Sequence, residues 1–142
     1  MAMYLTTVKN TGQETIIHFE AVDVSNATID LSTLTAPSQA RNSDTPRVNI
    51  VRFVCTGEDN ASVIVSRNGK NIIACAPENA PFLDLTSMGI TENIYNDQNI
   101  KIDNKVAKAV TGYITLRKVA GWSGKIETAE FGQYDNPNVV GS

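Results

Sequence analysis

The sequence predicts an all-β protein: one antiparallel β-sandwich or jelly-roll-like domain over residues 1–120, followed by an extended C-terminal arm over residues 121–142. Three observations lead there. Short runs rich in β-branched and aromatic residues recur, among them VNIVRFVC, SVIVSR and GYITLRKV. Clusters of Gly, Pro, Asn and Asp separate them. No stretch keeps a 3.6-residue apolar spacing for the length of a stable helix, and there is no internal repeat.

Residues 3–8 form a first strand, turned by Asn10, Thr11, Gly12 and Gln13. Residues 14–24 return as a second, with Ile17, Phe19 and Ala21 on one face and Ile16, His18, Glu20 and Val22 on the other. A third strand is expected over 28–34, and the Pro- and Ser-containing stretch 35–46 is a loop. Pro77 to Pro81 is a further break, 82–85 a brief strand, 88–98 ambiguous, 100–102 a short strand, and 104–110 room for one helical turn. Residues 112–119 make a strand with Tyr113, Thr115, Arg117 and Val119 sharing a side.

The centre of the chain, 47–76, reads as a three-stranded meander. Asn68-Gly69 is a strong hairpin signal, because both central positions of a type I′ turn need positive φ. A two-residue loop there sets Val65 opposite Ile72 and Val63 opposite Ala74. A four-residue loop at Gly57–Asn60 sets Phe53 opposite Ile64 and Cys55 opposite Ser62. Both faces of this meander come out apolar, which calls for a second layer of the same chain on each face or another subunit on one. In this register Cys55 and Cys75 lie two strand spacings apart, about 9.6 Å, beyond disulfide reach. Two free thiols are expected.

A formal charge of −3, with 12 basic residues scattered among 15 acidic ones, lacks the basic patch of a nucleic-acid footprint. No apolar run has membrane-spanning length. The N-terminus, MAMYLTTVKNTGQ, has neither the basic start nor the apolar core of a secretory signal, so synthesis in a cytoplasm is expected.

No catalytic constellation assembles. His18 is the single histidine and has no zinc-ligand spacing around it. Gly121-Trp122-Ser123-Gly124-Lys125 departs from the G-x-S-x-G elbow and does not join a strand to a helix. Glu58, Asp59, Asp97, Asp103, Glu127 and Glu130 read as solvated loop or tail acids, without the EF-hand spacing. Asn26 and Asn60 match the glycosylation acceptor pattern, by chance in a chain without a signal peptide. Catalytic residues, cofactor and metal are therefore all expected to be absent. Trp122, Phe131, Tyr134, Val139 and Val140 are the candidate interface residues, because aromatic anchors dominate interface energetics.

The segments PRVNIVRF, ASVIVSRNGKNIIA and GYITLRKVAGW, within residues 46–122, resemble a group of small β-rich virion proteins of tailed bacteriophages, especially phages of marine bacteria. The resemblance implies a non-enzymatic structural role: a capsid decoration (cement) protein on the outer surface of a phage head, stabilising it, made in the host cytoplasm. The major capsid protein or other virion subunits would be its partners, with a homo-oligomer, a trimer, as the expected state. A neck or tail adaptor, a fibre-associated component, and a carbohydrate-binding β-sandwich on the particle surface are the alternatives.

Overall fold

The computed structural model describes residues 3–35, 46–85, 95–120 and 122. Among these, nine strands alternate with turns: β1 (Tyr4–Asn10), β2 (Glu14–Ala21), β3 (Ser25–Ile29), β4 (Arg47–Gly57), β5 (Val63–Arg67), β6 (Lys70–Cys75), β7 (Phe82–Asp84), β8 (Ile100–Asn104) and β9 (Val110–Ala120). They form a five-stranded sheet in the order β1-β2-β9-β4-β7 and a four-stranded sheet in the order β3-β8-β5-β6. Every pairing is antiparallel. The chain is an all-β sandwich, as the sequence predicts.

The core lies between the sheets. The larger sheet contributes Ile17, Phe19, Val48, Ile50, Phe53, Ile114 and Leu116; the smaller contributes Ile29, Val63, Val65, Ile73, Ile100 and Ile102. Phe19 and Phe53 stack with centroids 5.7 Å apart. Between their strands lies Gly112, where a Cβ would come 2.2 Å from the Val54 carbonyl oxygen and 2.7 Å from Phe19 Cζ. Only a residue without a side chain fits there.

Two sequence expectations are corrected. First, β4 and β5 are not hairpin partners. Both flanks of β4 are taken, by β9 and β7, so the turn after Gly57 carries the chain across to the other sheet. Asn60 takes a positive φ of 65° in that turn, and Glu58 N–H donates to the Ala109 carbonyl, fixing the crossing. Secondly, the doubly apolar meander is produced by bulges. The register slips between Ile50 and Arg52, so Ile50 points inward while Arg52 and Val54 point out. A second slip sets Val65 opposite Ile73 and Val63 opposite Cys75, one residue from the expected pairing, although the Asn68-Gly69 turn stands with both φ positive. A bulge inserts one residue and flips every side chain after it. The pattern therefore needs no covering subunit.

Two smaller differences follow from local chemistry. The third strand ends at Ile29, because the Asp30 carboxylate accepts from Ser32 N–H and caps a 3₁₀ turn over Leu31–Thr33. Residues 105–109 form bends instead of a helical turn, organised by Asn104, whose Nδ2 donates to the Asp23 and Lys108 carbonyls at 2.7 and 3.0 Å.

Arg67 is 1% exposed, at the inward-facing end of β5. Its guanidinium donates to the carbonyls of Val48 (2.8 Å), Asn96 (2.9 Å) and Gln98 (3.1 and 2.9 Å). One side chain of the smaller sheet thus ties the first turn of β4, in the larger sheet, to the 95–98 turn. Replacing Arg67 with Met, similar in length but without donors, strands those buried acceptors and is expected to cost about 3 kcal/mol, read from urea unfolding midpoints. Gly112→Ala is expected to cost about 2 kcal/mol by forcing Phe19 and the β4 backbone apart, with the same measurement checking it.

Candidate functional site: the outer face of the five-stranded sheet

The register dictates which side chains stand together on the solvent side of the larger sheet. Thr6 of β1 faces His18 of β2, His18 faces Tyr113 of β9, Tyr113 faces Val54 of β4, and Val54 faces Phe82 of β7. One transverse row therefore crosses all five strands. The His18 and Tyr113 rings lie 4.9 Å apart, and His18 Nε2 is 2.8 Å from Thr111 Oγ1. Thr111 Oγ1 also lies 3.3 Å from the Phe19 carbonyl oxygen, as donor. Within the row Tyr113 is 46% and Phe82 62% exposed, large values for aromatic rings.

Charge flanks this row on one side. Arg52 lies 3.6 Å from Asp84 on β7 and reaches across β9 to Glu14 at 3.9 Å, while Lys9 pairs with Glu14 at 3.2 Å. Thr115, between Arg52 and Ile16 in the register, is buried beneath this bridge. On the other side lies the row Tyr4, Glu20, Thr111 and Thr56. It borders a solvent-open depression of about 570 Å³, lined mainly by apolar atoms of Tyr4, Ala21, Val22 and Val110 together with Glu20 and Glu58. Glu58 already accepts from Ala109 N–H. The apolar row and the depression form one continuous surface with charge along its far margin.

Of the expected site residues, Trp122 alone is among the described residues. Trp122 is 8% exposed and packs on its own domain: its Nε1–H donates to the Arg47 carbonyl at 3.0 Å, and Lys118 Nζ stands 4.8 Å from the ring centroid. A ring so placed is not presented to a neighbour's groove, and it cannot stack on a sugar. The packed body thus extends at least to residue 122. Phe131, Tyr134, Val139 and Val140 lie outside the described residues. His18 sits on the outer face, as its alternation with Ile17 and Phe19 predicts. Among the described residues no group of three or more His, Cys, Asp or Glu side chains could hold a metal ion, and no helix is long and apolar enough to cross a membrane.

Cys55 and Cys75 are free, the first buried and the second half-buried. Since β4 and β6 belong to different sheets, the 9.6 Å in-sheet separation expected from sequence does not apply. Both side chains point into the core between the sheets, from the ends of β4 and β6. The Cys55 S–H bond to Cys75, with burial, pushes the Cys55 thiol up, and the same bond lowers the Cys75 thiol below its ordinary range.

No family model matches the chain, and no curated protein matches it. Two solved structures are similar in outline. A cupin domain from Bordetella pertussis Tohama I aligns over 84% of this chain and 95% of its own, with 6% identity and a TM-score of 0.41. An uncharacterized conserved protein with a double-stranded β-helix domain from Klebsiella pneumoniae subsp. pneumoniae MGH 78578 aligns over 86% of this chain and 83% of its own, with 9% identity and a TM-score of 0.42.

Lys118 supplies a pH dependence. Burial lowers its pKa from the ordinary 10.5 to about 8, although its ammonium donates to Asn10 Oδ1 and the Thr11 carbonyl, each at 2.9 Å. Between these values the unfolded chain holds a proton that the folded chain has shed, so raising the pH across that window favours the fold. The cost of burying the cation is fully present below about pH 8 and gone above 10.5. Denaturant unfolding from pH 7.5 to 10.5 should show the native chain gaining stability relative to Lys118→Met, by up to about 3 kcal/mol.

Proposed function

We propose that this chain is a structural component of a virus particle, a capsid decoration protein that docks on the head through the outer face of its five-stranded sheet. The observation that carries the reading is the transverse row of Thr6, His18, Tyr113, Val54 and Phe82, with the Tyr113 and Phe82 rings exposed side by side with Val54 on one sheet face. Exposed apolar surface of this kind, rimmed by charge, is characteristic of docking sites between proteins. The similarity of residues 46–122 to tailed-phage virion proteins supplies the class of partner, a viral shell subunit. No substrate or cofactor enters: the work is burial of surface, and a standard interface of about 1,600 Å² repeated over many symmetric copies would brace a shell considerably.

The face divides the labour simply. Tyr113 and Phe82 supply desolvated anchors, and the Lys9, Glu14, Arg52 and Asp84 margin supplies pairing that sets orientation. Particles purified from cells that make the chain should contain it in hundreds of copies. Six or twelve copies would place it instead at the neck or tail, and its absence would end the virion reading. The double substitution Tyr113→Glu with Phe82→Glu is expected to weaken particle association at least ~100-fold, two buried anchors being lost. Thermal unfolding should barely change, because both side chains already face water.

A further inference from the structure

We propose that Cys55 and Cys75 form a reversible disulfide that clamps the two sheets together, making this pair an oxidative modification site. The proposal stands on the geometry of the thiols and is independent of what the particle is. Cys55 ends the inward-facing series of β4 in the larger sheet, and Cys75 ends β6 in the smaller one. Both side chains point into the core from strand ends in facing sheets, so a bond between them would add a covalent side-chain link between the two layers.

The surroundings hold the pair in place. Directly after Cys75 the chain makes a 3₁₀ turn over Pro77–Asn79 that is fastened to the β4 end of the molecule. Cys55 N–H donates to the Pro81 carbonyl at 3.2 Å, and Asn60 N–H donates to Glu78 Oε1 at 2.5 Å. Pro77 packs so closely on Gly57 that a Cβ there would lie 2.8 Å from the proline Cβ. These contacts fasten the ends of β4 and β6 together at the corner where both cysteines point inward.

The two thiols also have separate tasks. Cys75 is half-buried, so a small oxidant reaches it, whereas Cys55 is sealed from solvent. The hydrogen bond from Cys55 favours the Cys75 thiolate, which makes Cys75 the attacking sulfur. With a small-molecule disulfide such as glutathione disulfide, the Cys75 thiolate attacks one sulfur and releases the other as a glutathione thiolate. Cys55 then gives its proton to that thiolate and attacks the Cys75 sulfur, breaking the mixed disulfide and expelling the second glutathione. The protein loses two hydrogens and two electrons, and the reagent gains both as two thiols. Once Cys75 is capped, the neighbouring charge that kept Cys55 protonated is gone, which eases the second step.

The test uses the full reduced chain, incubated with glutathione disulfide under native conditions. Both free thiols should disappear together, with a loss of two hydrogens in mass, a Cys55–Cys75 cross-linked peptide on non-reducing mapping, and full reversal by dithiothreitol. The closed loop of about twenty residues should raise the melting temperature by ~10 °C. Cys55→Ser should stop the reaction at a stable glutathione adduct on Cys75, and Cys75→Ser should leave Cys55 unreactive while the chain is folded. Three results would each overturn the proposal: a folded chain that keeps two titratable thiols, a native chain that halts at the adduct, or a bridged form that melts lower than the reduced one.

Discussion

The buried guanidinium of Arg67 is the constraint on which the rest of the sandwich depends. A charge in an apolar interior costs several kcal/mol unless every donor finds an acceptor. Here the acceptors are backbone carbonyls of Val48, Asn96 and Gln98, contributed by segments far apart in sequence. Satisfying one side chain therefore fixes where β4 begins, how the 95–98 turn is shaped, and how far the two sheets stand apart at that end. Asn96 extends the same knot: its carbonyl also accepts from Val48 N–H, and its side chain bridges Arg47 and Asn49. Lys118, opposite Val48 in the register, and Trp122 above it close the same end. Two cations thus sit at one end of the sandwich, while the cysteine pair lies toward the other, beside Gly112 and Val63.

The fold class was legible because strand formation and turn chemistry are local. The Asn68-Gly69 hairpin, the shared face of Ile17, Phe19 and Ala21, and the placing of His18 on the opposite face all follow from spacing alone. What was not legible is non-local. Nothing in residues 57–61 says whether the chain folds back beside β4 or crosses to the opposite sheet. That choice is made by β9 and β7, which occupy both edges of β4 and arrive later in the chain. Bulges are equally hidden, since Val51 and Ile72 are ordinary strand residues whose extra position shows only against a partner. The apolar meander follows from the bulges, and the misplaced cysteines follow from the crossing. The outer row was half visible: alternation puts Tyr113 on a solvent face, but only the register puts His18, Val54 and Phe82 beside it. Trp122 reads as a free aromatic in a polar tail because its acceptor, the Arg47 carbonyl, is 75 residues away.

Given a sandwich whose interior is filled, association has two geometric routes, along an edge or across a face. Three of the four edges are poor templates, β3 being the regular one. β1 carries a bulge at Val8 followed by Lys9, β6 carries its own bulge and begins with Lys70, and β7 has three residues. Bulges, lysines and short strands are the devices by which edges refuse a further strand. The smaller sheet turns Asn26, Thr28 and Lys101 outward, groups well suited to water. The larger sheet does the opposite, placing Tyr113, Val54 and Phe82 side by side where solvation favours none of them. With most edges blunted and one face wet, the aromatic row is where the proposed contact is best placed. The flanking arginine and carboxylates would then limit the orientations in which the proposed partner could lie on it, since a shifted partner would leave Arg52 or Asp84 desolvated without its counter-charge.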